Sequence, residues 1–77
     1  MRIVYSEYWM KKRHSRPDIT DDMIEYCILN SNKLKDRTWE MVWNAISRIP
    51  PSGRLLKVVY REKEKDIKII VTAYWLD

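Results

Sequence analysis

Arg54-Leu55-Leu56-Lys57-Val58-Val59-Tyr60-Arg61, the charged stretch Glu62 to Asp66, and then Ile67-Lys68-Ile69-Ile70-Val71-Thr72-Ala73-Tyr74-Trp75-Leu76 form the C-terminal third of the chain. Both apolar runs are rich in β-branched and aromatic residues and are joined by charge alone, the pattern of two strands around a hairpin loop at Glu62–Asp66. Alternation puts Leu56, Val58 and Tyr60 on one face of the first strand and Leu55, Lys57, Val59 and Arg61 on the other. In the second strand it separates Ile67, Ile69, Val71, Ala73 and Trp75, the face expected to receive helices, from Lys68, Ile70, Thr72, Tyr74 and Leu76. The last strand is apolar enough on both faces for a central place, although a final strand can also take an edge.

Reading towards the N-terminus, Pro50-Pro51-Ser52-Gly53 is a turn. Ahead of it, Trp39, Met41, Trp43 and Ala45 alternate with Glu40, Val42, Asn44 and Ile46, which fits a strand and is also compatible with a helix. Met23, Ile24, Cys27 and Ile28 recur at helical spacing behind a Thr20 cap and the acids Asp21 and Asp22, and Asn30-Ser31-Asn32 ends the run. An earlier helix is expected from Glu7 to about Ser15, opened by Ser6 and carrying the basic cluster Lys11, Lys12, Arg13, His14 and Arg16 before Pro17. Arg2-Ile3-Val4-Tyr5 reads as a first strand. The expected class is α+β, one domain over 1–77, with two N-terminal helices packed on a small, mostly antiparallel sheet.

Composition narrows the function classes. At 77 residues, with 45% hydrophobic and 34% charged side chains, the chain suits one folded domain rather than a disordered or membrane-spanning one. A soluble, cytoplasmic protein without membrane contact is expected. Cys27 is the sole cysteine, set among apolar neighbours, and reads as a buried thiol rather than a nucleophile. The sole glycine, Gly53, leaves no phosphate-cradling loop, and no His or Cys pair stands at ligand spacing, so neither a cofactor nor a metal is expected. A lone His14 gives no support for a hydrolase triad. The net charge of +4 permits an acidic partner such as RNA.

The open face of the C-terminal strands is the strongest functional candidate. Lys57 and Arg61 are expected beside Thr72 and Tyr74, a set of cations, hydroxyls and a ring that suits an RNA strand through phosphate neutralisation and base stacking. The same residue types also populate the solvated face of ordinary small sheets, so the bland alternative stands beside the functional one.

Ser6 opening a helix, the basic Arg13 to Arg16 stretch, Asn44-Ala45-Ile46-Ser47-Arg48-Ile49-Pro50-Pro51-Ser52-Gly53-Arg54, Leu56-Lys57-Val58-Val59-Tyr60 and Val71-Thr72-Ala73-Tyr74-Trp75-Leu76-Asp77 together resemble the DUF4258 family over nearly the full chain. That family is grouped with RelE-like and BrnT-like toxins, small metal-independent ribonucleases. The resemblance implies a RelE-like fold and, less directly, endoribonuclease activity in a toxin and antitoxin setting. It differs at Tyr8, where family members commonly carry His.

Under that resemblance a ribose 2′-hydroxyl attacks the adjacent phosphorus, and Arg54, Lys57 and Arg61 stabilise the developing charge. Thr72 and Tyr74 orient the phosphate or stack a base, His14 relays a proton, and Arg13, Arg16 and Lys68 hold the RNA backbone. The competing expectation is an interaction domain without catalysis, either binding RNA passively or presenting Trp39, Trp43 or Trp75 to an antitoxin or a second copy of the chain.

Overall fold

A computed structural model describes residues 1–64 and 66–77; Lys65, within the expected hairpin loop, lies outside the described residues. The chain runs β1 (Arg2–Tyr5), α1 (Glu7–Lys12), a 3-10 turn (Arg13–Ser15), α2 (Asp21–Leu29), β2 (Leu34–Lys35), β3 (Val42–Ile49), β4 (Arg54–Glu64) and β5 (Ile67–Trp75). The strands form one sheet in the order β1-β5-β4-β3-β2. β5 is therefore interior, as its two apolar faces suggested. Its pairing with β1 is parallel while the other pairs are antiparallel, so the sheet is mixed and the helices enter between its first two strands.

Both helices start as their caps direct. The Ser6 hydroxyl accepts from the Trp9 amide at 3.1 Å, and the Thr20 hydroxyl accepts from the Met23 amide at 3.2 Å. Trp9 from α1 and Ile24 and Cys27 from α2 are wholly buried against Leu56, Val58, Ile70 and Ala73, so one sheet face carries the core. The Cys27 thiol sits 3.4 Å from the Ala45 and Leu56 carbonyls, and burial pushes its pKa up, consistent with a core role.

Several boundaries differ from the sequence expectation. The first helix stops at Lys12 and tightens into the 3-10 turn. β3 starts at Val42, leaving Trp39 outside it, because the preceding chain is looped. The Asp36 carboxylate accepts from the Thr38 and Trp39 amides, and Met41 takes a left-handed φ of 63°. Glu62–Glu64 continue β4 instead of forming a loop, and the short edge strand β2 was not anticipated.

The largest correction concerns the faces of β5. Val59 pairs with Thr72 but Tyr60 pairs with Ile70, which leaves Val71 as an extra residue in a β-bulge. Alternation changes phase there. Ile70 and Ala73 both reach the core with none of their surface exposed, whereas Ile67 and Ile69 share the open face with Thr72 and Tyr74. The expected Ile67, Ile69, Val71, Ala73 and Trp75 face thus does not exist as one surface.

Candidate nucleic-acid groove

The open face of the sheet holds a groove of about 520 Å³ lined by Lys57, Val59 and Arg61 of β4, Val71, Thr72 and Tyr74 of β5, Val42 of β3, Tyr8 of α1, and Asp36 and Trp39 of the loop before β3. Its position follows from register. Lys57 pairs with Tyr74 and Val59 with Thr72, so all four side chains leave the sheet on the side away from the core. Tyr74 stands between two cations: Lys57 Nζ lies 5.7 Å from its ring centre and the Arg16 guanidinium 5.9 Å.

Arg16 reaches this face across an unpaired stretch of sheet. Beyond Ile70 no strand among the described residues runs beside β5 on the β1 side. The exposed carbonyls are taken instead by side chains, Val71 by the Ser6 hydroxyl at 3.2 Å and Ala73 by Arg16 Nη1 at 3.0 Å. The same Arg16 nitrogen donates to the Thr72 hydroxyl at 3.2 Å. Arg16, Lys57, Thr72 and Tyr74, drawn from distant parts of the chain, thereby form one constellation, with Arg61 on the same strand face.

The remaining expected site residues lie elsewhere. Arg54 stacks 4.2 Å from the Trp75 ring and pairs with Asp18 at 3.4 Å, while Trp75 Nε1 donates to the same Asp18 carboxylate at 2.9 Å, so Arg54 belongs to a clamp at the other side of the sheet. Its position in β4 has the parity of Leu56, not of Lys57. Arg13 is engaged by Asp21 at 2.8 Å and by the Tyr5 ring. His14 is exposed on the 3-10 turn and is not among the groove residues. Lys68, two residues before Ile70, falls on the helix-bearing face because of the Val71 bulge, where it meets Glu62 at 2.6 Å. Glu62 also pairs with Lys33, and these two hydrogen-bonded ammonium groups hold its carboxyl below its ordinary value.

Tyr8 and Asp36, two polar lining residues, were absent from the expected site. Tyr8, at the position where the resembled family commonly has His, is 56% exposed beside the groove. Asp36 is the groove's one acid among the described residues. Its Oδ1 accepts from the Thr38 amide at 2.8 Å and the Trp39 amide at 3.0 Å, and these bonds, aided by Asn44 and by the Lys57 charge, hold its carboxyl below the usual value. The sequence signal for this turn is Asp36 followed two and three residues on by the amides it caps. Trp39, 65% exposed, projects from that loop. Of the other tryptophans Trp9 is buried, and Trp43 and Trp75 pack partly against the core.

No family model, curated protein or solved structure gives a significant match to the chain. The groove is read from its own chemistry. Among the described residues no cluster of His, Cys, Asp and Glu has metal-binding geometry, and no helix is long and apolar enough to cross a membrane.

Proposed function

We propose that the open-face groove binds single-stranded RNA, with phosphates held by Lys57, Arg61 and Arg16 and bases laid against Trp39, Tyr8 and Tyr74. The observation that carries this reading is the meeting of the groove cations Lys57 and Arg61 with the exposed rings of Tyr8 and Trp39, while Arg16 from another chain segment joins Tyr74 on the same face. Unpaired bases offer faces for such rings, and duplexes do not.

A second reading adds cleavage, as in the metal-independent toxin ribonucleases that the sequence resembles. It is favoured by the phenols of Tyr8 and Tyr74 and the carboxylate of Asp36 sharing the groove with Lys57 and Arg61, which sets proton-exchanging groups beside cations. The 2′-hydroxyl would attack phosphorus, losing its proton to a groove base, while a groove acid protonates the departing 5′-oxygen to a hydroxyl and a 2′,3′-cyclic phosphate is left as product. Lys57 and Arg61 would stabilise the charge gathered on the phosphoryl oxygens. His14 and Arg54 have no part in this version, because neither lines the groove.

Incubation of the protein with a labelled RNA pool in EDTA tests both readings, alongside a Lys57→Ala/Arg61→Ala double variant. RNA retained by the native protein and lost by the folded double variant supports the binding site, and cyclic phosphate ends add cleavage. No salt-sensitive retention of RNA by the native protein refutes the groove as an RNA site.

A further inference from the structure

We infer that Asp36, acting beside Trp39, makes the groove discriminate among bases, favouring those that present an amino group and disfavouring uracil. The inference rests on the RNA reading above and assigns a specificity element within it. An ionised carboxylate on the wall of a groove meeting a polyanion is electrostatically unfavourable unless it accepts a bond from the ligand. Asp36 is free to do so. Its Oδ1 is occupied by the Thr38 and Trp39 amides, but Oδ2 meets only the Asn44 amide at 3.4 Å among the described residues. A carboxylate has about four acceptor positions, so Oδ2 retains capacity for a further donor.

The bond between Oδ1 and the Trp39 amide fixes the acceptor relative to the residue carrying the exposed indole. A stacking plane with a hydrogen-bonding group held beside it is the arrangement that reads a splayed base by its edge. The group here is a negative acceptor. Cytosine, adenine and guanine each bring an exocyclic amino donor to such an oxygen, and the bond is charge-assisted. Uracil brings carbonyl oxygens on either side of its single N–H, and these face the carboxylate unfavourably.

Fluorescence anisotropy with labelled decamers of cytidine and uridine tests the inference, since both pyrimidines offer similar rings for stacking. The native protein is expected to bind the cytidine decamer about tenfold more tightly at equal salt, the discrimination expected of one charge-assisted bond. In Asp36→Asn the carbonyl oxygen can still accept from both loop amides, while an NH₂ donor, which the ring acceptors of either base can meet, occupies the place of Oδ2, so the cytidine preference should be lost. Asp36→Ser retains a hydroxyl able to cap the loop and removes the carboxylate, and should bring the ratio near one, which keeps the test valid if the Asn variant unfolds. Equal affinity of the native protein for both decamers, or an unchanged ratio in the folded variants, overturns the Asp36 assignment and leaves the RNA groove standing. Binding of neither decamer overturns both.

Discussion

Replacing Lys57 and Arg61 together by Ala should flatten the salt dependence of RNA binding by a calculable amount. The open face offers three cations: Lys57 and Arg61 line the groove, and Arg16, anchored by Thr72 and Ala73, stands beside Tyr74. For a single strand, three neutralised phosphates give a slope of about −2 in log K against log salt, and hence about a 20-fold loss of affinity between roughly 50 and 200 mM salt. With Arg16 alone the slope falls to about −0.7 and the loss to about threefold. Both replaced side chains sit on the open face, with Lys57 only partly covered and Arg61 exposed, so folding stability should change by no more than about 0.5 kcal/mol per site. Titrations of a labelled ten-nucleotide strand at several salt concentrations, with thermal melts of both proteins, make the measurement. A native slope near zero, or an equal slope in a double variant that melts normally, would refute the assignment of phosphate contacts to these cations.

Two further outcomes concern the fold. Deleting Val71 removes the bulge and forces either Ile70 or Ala73 out of the core; displacing Ile70 alone costs about 2 to 3 kcal/mol, which urea denaturation would read as a lowered midpoint, whereas Val71→Thr should cost under about 1 kcal/mol. Stability should decline at both ends of the pH scale. Glu62 and Asp36 have lowered pKa values and contribute stability above the ordinary carboxylate range that is lost as pH falls through their folded values. Cys27, Tyr5 and Tyr60, whose pKa values are raised chiefly by burial, contribute stability below their unfolded values that is lost as pH rises. Glu62→Gln should weaken the acid decline and cost about 1 kcal/mol near neutrality, since it removes the carboxylate that the Lys33 and Lys68 ammonium groups hold ionised; an acid limb identical to that of the native protein would contradict this.

The sequence alone carried the elements whose signals are local. Ser6 and Thr20 begin helices because each hydroxyl satisfies an amide three residues ahead, and that relation is written in consecutive letters. The β4 alternation was legible too, so Lys57 and Arg61 were correctly expected beside Thr72 and Tyr74 on one face. The phase of β5 was not, because a bulge is a property of two paired strands. Nothing within Ile67–Trp75 marks Val71 as the residue that β4 leaves unmatched, and every assignment on its N-terminal side, Lys68 included, moved to the other face. Arg16 joined Thr72 and Tyr74, and Arg54 left the expected site, for a related reason. A long side chain goes where a distant carbonyl, carboxylate or ring satisfies it, and only the folded chain brings those partners within reach. Local sequence determined the two helices and the long C-terminal strands in outline, while tertiary pairing added the edge strand β2 and decided which of the charged side chains meet.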